Sequence, residues 1–201
     1  MNIGIINSGI CNLFSLENAL SHLNISFITS SKIEELEKCS KLILPGVGTF
    51  DAGMTNLNKL GLDEFIKKRA SEGTKLLGIC LGMQLLFSSS DEGDLPGLSL
   101  IEGKVIKFPN TIRKVPHIGW NDLSFKSEDI DILNQNHKTD SFYFIHSYYI
   151  DCNNSINYCS TIHENFEFKS IVQSNNIYAT QFHPEKSQDA GLKILNNFSN
   201  L

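Results

Sequence analysis

The chain has 201 residues, 41% hydrophobic and 19% charged, with a formal net charge of −5. That profile fits one soluble globular domain burying about 70% of its unfolded surface. It argues against nucleic-acid binding, and no apolar run approaches the roughly 18 residues of a transmembrane helix. The cysteines, at 11, 39, 80, 152 and 159, are odd in number and irregular in spacing, with no C-x-x-C pair. Neither a zinc or redox motif nor a disulfide framework is expected, and a reducing cytoplasm fits better. The apolar first fifteen residues lack a basic n-region, so no signal peptide is expected.

In chain order, residues 2–7 read as a buried strand ending at a Ser8-Gly9 turn, and 12–23 as a helix with Leu13, Leu16, Leu20 and Leu23 on one face. Strands are predicted over 25–29 and over 41–48, the latter stopped by Pro45. Thr49 is placed to cap a helix running to Leu60, and a further helix covers 62–70. Residues 75–79 form a fourth strand, after which 81–87 begin a helix. This alternation predicts an α/β fold, an open, mostly parallel sheet flanked by helices. Residues 88–97 (SSSDEGDLPG) read as a polar surface loop. Added strands follow at 99–108, 141–150, 157–162, 166–173 and 177–182, with a hairpin turn at 174–176. A last helix, starting near Ser187 or Gln188, packs Leu192, Leu195 and Phe198 inward.

The stretch KLLGICLGMQLLF carries Cys80 with Gly78 and Gly82 on either side, where a strand meets a helix. That is the setting of a nucleophile elbow: small neighbours permit a sharp turn, and the helix start favours a thiolate. A buried cysteine packed as a small hydrophobe is the competing reading. A nucleophile needs a base, and ATQFHPEKS supplies His183 and Glu185 at another strand end, Glu185 suited to orient the imidazole. By itself His-Pro-Glu also reads as a strand-ending turn. The segment PGVG, 45–48, lies at a third strand end. Parallel sheets place ligands there, and its backbone N–H groups together with that of Leu81 could form an oxyanion hole. An ordinary Pro-Gly turn is the alternative.

Together the segments LPGVGTFDAGM, GICLGMQLLF, KVPHIGWN, FYFIHSY and TQFHPEKS resemble those of class I, triad-type glutamine amidotransferases. More narrowly, they are similar to the glutaminase subunits of imidazole glycerol phosphate synthase. The resemblance implies that residues 1–201 form a single glutaminase domain. It implies that Cys80 attacks the glutamine carboxamide, His183 shuttles protons and Glu185 holds His183. Val47, Gly48 and Leu81 would supply oxyanion donors, and Gln84, His146, Ser147 and Tyr148 would bind substrate. No metal or organic cofactor is implied. The implied partner is a cyclase (synthase) subunit receiving ammonia through protein and forming a heterodimer, with Asn12, Trp120 and Lys186 as interface candidates. Phe142 and Phe144 read as core, His117 as a locally bonded histidine, and His22, His137 and His163 receive no role.

One segment departs from the family. Its Asp-Tyr-Gly-x-Gly-Asn after the first strand is NSGICNL here, with Asn7, Ser8 and Cys11 in changed positions and Gly9 and Asn12 kept. The departure bears on the partner, not on the triad. With Gly53 it leaves open a paralogous glutaminase feeding an enzyme that amidates surface-polysaccharide sugars. Rivals of other classes are an elbow-cysteine peptidase or γ-glutamyl hydrolase and a non-catalytic regulatory subunit.

Overall fold

The computed structural model describes residues 2–9, 11–127, 130–137, 139–153 and 155–201. The first half runs β1 (Ile3–Ile6), α1 (Leu13–His22), β2 (Phe27–Ser30), α2 (Ile33–Leu36), β3 (Lys41–Gly46), α3 (Phe50–Leu60), α4 (Leu62–Ser71), β4 (Lys75–Cys80) and α5 (Leu81–Leu85). The second runs β5 (Ser89–Ser90), β6 (Lys104–Lys107), β7 (His117–Asp122), β8 (Ser124–Phe125), β9 (Ser141–His146), β10 (Tyr148–Asp151), β11 (Asn157–His163), β12 (Phe166–Ser174), β13 (Ile177–Thr180) and α6 (Gln188–Asn200).

The main sheet has the order β2-β1-β3-β4-β13-β12-β10-β6-β5, with β11 on β12 and β8 on β11. From β2 to β13 neighbouring strands are parallel; the β13–β12, β12–β10 and β10–β6 pairs are antiparallel. Side chains alternate between faces along a strand, and here both faces are covered, so the central strands are apolar throughout. Ile3, Ile5, Ile43, Leu77 and Ile79 share a buried cluster with α1 and α6. Ile6, Leu42, Leu44 and Leu76 share the opposite cluster with α3, α4 and α5. Strand β13 comes last in the chain yet lies parallel beside β4. It is this placement that carries the residues after it to the end of β4.

Several expectations need correction. Pro45 does not stop β3. The pairing of β3 with β1 covers only Lys41 to Ile43, whereas β4 pairs it as far as Gly46. Pro45 therefore sits at a local edge, where a missing N–H is tolerated. Thr49 makes no side-chain cap; Phe50 N–H donates instead to Glu92 at 2.8 Å. The polar segment 88–97 is not a free loop: Ser89–Ser90 pairs with β6, and Asp51 accepts the N–H groups of Asp94 and Leu95. The run 141–150 breaks at Ser147 into β9 and β10, which belong to different sheets. KVPHIGWN contains a strand, β7, that forms a two-stranded ribbon with β9. In α6, Leu195 and Phe198 are fully buried, as is Ile194, while Leu192 is partly buried. The turn at 175–176 joins β12 to β13, with Asn175 in the left-handed region that asparagine tolerates.

Candidate active site

Gly46 pairs with Cys80, and Ile79 with Thr180, so β3, β4 and β13 end side by side. Carboxyl ends of parallel strands are where such folds bind ligands. Cys80 itself turns at φ 54°, ψ −110°, a conformation that costs a non-glycine residue about 1–3 kcal/mol. The glycines on either side serve close approach. A Cβ on Gly78 would lie 2.8 Å from Leu86 and 2.9 Å from the Gly82 carbonyl; one on Gly82 would lie 1.8 Å from the Leu44 carbonyl. Without side chains at both positions α5 can drop onto β3 and β4 directly behind the thiol.

After β13, His183 is clipped to the ribbon. Its N–H donates to the Tyr143 carbonyl at 2.9 Å, and Ser187 Oγ bonds both the His183 carbonyl and Tyr143 N–H. His183 Nδ1 lies 2.7 Å from Glu185 Oε1, both side chains buried. Nε2 of His183 and Oε2 of Glu185 are buried without a hydrogen-bond partner among the described residues. Burial disfavours the charged imidazole. Hydrogen bonding and negative charge at the Cys80 sulfur and the Glu185 carboxylate outweigh it and hold the pKa of His183 well above the usual histidine value. With Nδ1 committed to Glu185, Nε2 is the ring atom free to exchange a proton with sulfur.

Cys80 and His183 meet at a cavity of about 260 Å³, lined also by Val47, Gly48, Leu81, Gln84, Ser147 and Tyr148. Gly48 has φ +100° and open space where a side chain would stand. Hence the residues expected at the oxyanion and substrate positions do come together. His146 lines the cavity too, but its ring is already engaged: Nδ1 donates to the Tyr148 carbonyl at 2.8 Å, and Nε2 lies 3.0 Å from His117 Nδ1. His146 Nε2 therefore accepts from His117, whose Nε2 faces the Asn121 amide at 3.4 Å. Burial pushes both histidines down, His146 to about 3 and His117 to about 4, with further lowering from neighbouring histidines. The pair is a neutral brace for the Tyr148 carbonyl, and that carbonyl also accepts from Gln84 Nε2 at 3.2 Å.

Asn12, Trp120 and Lys186 do not line the cavity. Asn12 is exposed at the start of α1 and makes no side-chain cap; Ile10, in the same atypical loop, lies outside the described residues. Trp120 is 49% exposed and stands edge-on to Tyr143, over whose ring the Lys186 ammonium lies at 5.9 Å. Ile118 and Ile145, paired across the ribbon, are exposed on the same strands, while Phe144, His117 and His146 are buried.

Sequence reasoning missed four contributors. Glu92 lines the cavity, delivered by the segment that Asp51 anchors, and no local pattern distinguishes it from a solvated acid. Ile145, on β9, and Pro116, just before the unforeseen strand β7, line it as well. Gln181 lies within the quoted TQFHPEKS stretch; its place beside Cys80 follows only from the pairing of β13 with β4.

The family model for glutamine amidotransferase class-I matches residues 5–200. The chain belongs to the class-I glutamine amidotransferase family. It is 46% identical over 200 residues to imidazole glycerol phosphate synthase subunit HisH 2 of Methanococcus maripaludis, covering 98% of each. It is 45% identical to subunit HisH of Halalkalibacterium halodurans, covering 98% of this chain and 94% of that one. For subunit HisH of Bacillus subtilis the figures are 40%, 99% and 96%. Within the family the chain is of the HisH type. A crystal structure of a glutamine amidotransferase shares the fold at TM-score 0.74 and 20% identity, covering 99% of both chains. The structure of PurLQS from Thermotoga maritima does so at 0.72 and 18%, covering 99% and 97%.

Proposed function

We infer that this chain is the glutaminase subunit of an imidazole glycerol phosphate synthase, working in histidine biosynthesis and hydrolysing L-glutamine to glutamate and ammonia. The observation that carries the reading is a strained cysteine and His183 lining one cavity, with the His183 ring held 2.7 Å from the buried Glu185 carboxylate. Full-length identity of 46% to a subunit of that enzyme supports it.

Cys80, as thiolate, attacks the side-chain amide carbon of glutamine. Negative charge passes to the amide oxygen, which faces the N–H groups of Leu81 and of the Val47-Gly48 segment. His183 gives its Nε2 proton to the leaving nitrogen; the C–N bond breaks, ammonia departs, and a glutamyl thioester remains. His183 then takes a proton from water as its oxygen attacks, and the C–S bond breaks to give glutamate and the free thiolate. Glu185 holds the ring with Nδ1–H inward. At the other end of the substrate, Gln84, Ser147 and Tyr148 hold the amino-acid group. The Glu92 carboxylate, fixed by Phe50 N–H, meets the α-ammonium.

Ammonia released to water would be protonated and lost, so the reaction is useful only with an acceptor enzyme docked close by. The exposed Trp120, Ile118, Ile145 and Lys186 beside the cavity support docking of a cyclase subunit there as a heterodimer. The free cysteines are in keeping with a cytoplasmic setting. Among the described residues no helix is long and apolar enough to cross a membrane.

The test pairs the chain with the cyclase subunit. Cys80→Ala is expected to abolish glutamine-dependent product formation and to leave the ammonia-dependent reaction intact. Retained glutamine use would remove Cys80 from the mechanism. Capture of a sugar-amidating enzyme as the native partner would overturn the pathway.

A further inference from the structure

Gln181 is a fully buried polar side chain next to the thiol, at 0% exposure. Burying a carboxamide is costly unless its atoms are paired. Its Oε1 accepts from Gln84 Nε2 at 3.0 Å, and its Nε2 points at Cys80 Sγ at 3.8 Å. The two halves are linked by chemistry. Because Gln84 presents N–H to it, Gln181 must turn its oxygen that way, and its own N–H then faces the sulfur. The reverse orientation would set N–H against N–H. Gln84 in turn donates to both Gln181 and the Tyr148 carbonyl. Its Nε2 is thereby used up, and only its Oε1 is left to offer the cavity, as an acceptor.

We propose that Gln181 is a positioning residue of the glutaminase centre, orienting the Gln84 amide with its oxygen and steadying the Cys80 thiolate with its N–H. The proposal rests on the reading of Cys80 as nucleophile. A donor aimed at sulfur favours its charged form over the neutral one. No proton is transferred to or from the amide.

The experiment measures the rate of Cys80 alkylation by iodoacetamide against pH in the full chain, alongside glutamine kinetics with the cyclase subunit. Gln181→Glu keeps an acceptor for Gln84 and removes the N–H, but its carboxylate itself opposes a thiolate, so the neutral Gln181→Met decides the midpoint and Gln181→Glu decides the KM. In Gln181→Glu the KM for glutamine is expected to stay nearly unchanged. Gln181→Met removes both functions. It is expected to raise the alkylation midpoint by about one pH unit, a roughly tenfold smaller thiolate fraction below it, and also to raise KM by about tenfold, the loss of one hydrogen bond. A merely structural role would change activity without moving the midpoint, and that result would overturn the proposal. If neither variant folds, NMR of the wild-type chain decides: the Gln181 side-chain N–H resonance is expected to titrate with Cys80, and an unmoved resonance overturns the idea. A wild-type complex that fails to use glutamine would refute the proposed function instead, leaving the alkylation comparison readable.

Discussion

His183 Nδ1 and Glu185 Oε1 stand 2.7 Å apart on either side of Pro184, both side chains almost wholly buried. So short a link lets the acid hold the ring without any other element. Glu185→Gln keeps the shape but loses the charge that supports the imidazolium. Its kcat for glutamine is expected to fall by at least ~10²-fold, within the span typical of acid–base groups, with KM little changed. Steady-state kinetics with the cyclase subunit measure it; a rate within twofold of wild type would remove Glu185 from the mechanism.

Cys80 occupies a backbone conformation that favours glycine. Substitution there should invert the usual order of residues. Both Cys80→Ala and Cys80→Gly lack the thiol, but only glycine relieves the strain, of about 1–3 kcal/mol, against ~0.5–1 kcal/mol lost to its greater freedom when unfolded. Denaturant melts are expected to find Cys80→Gly at least as stable as Cys80→Ala. An alanine variant more stable by 1 kcal/mol would show the elbow to be unstrained.

The buried histidines predict an acid limit. His117 and His146 have pKa values lowered to about 4 and about 3, against about 6.5 in the unfolded chain. A lowered folded value means the unfolded state binds more protons between these limits. The stability these groups contribute is present above about pH 6.5 and is lost as pH falls toward 4. Melting temperature is expected to drop between pH 7 and pH 5, and less steeply in His117→Gln. Equal slopes would assign the acid lability to other groups. His183 has the opposite sign: its raised value stabilises the fold below about pH 6.5, and that contribution is lost as pH rises through the folded pKa.

Trp120 is half exposed, and removing it leaves no cavity in the core. Trp120→Ala is expected to weaken binding of the cyclase subunit by about tenfold or more, as buried aromatic anchors do at interfaces, with an unchanged melting temperature. Calorimetric titration measures both partners directly; unaltered affinity would put the docking surface elsewhere.

The sequence by itself pointed to the parallel strands of the first half and, through the resemblance of five segments to a family, to the candidate reactive groups. Helical spacing in 12–23, continuous apolar strands at 41–48 and 75–79, the glycines about Cys80 and the His183-Pro184-Glu185 triplet are local features. The helix and strands are dictated by near neighbours along the chain and were legible there; the Cys80 and His183-Pro184-Glu185 motifs each kept a bland local reading and gained their meaning from the combination of segments. What the fold alone decided is proximity between distant segments. Strand β13 inserts beside β4 and delivers His183 and Gln181 to the thiol. Asp51 draws Glu92 into the cavity, and β7 pairs with β9 to bury His117 against His146 while leaving Trp120 outside. Such contacts depend on long-range strand pairing and on capping by side chains far away in sequence, which no periodicity within a segment encodes.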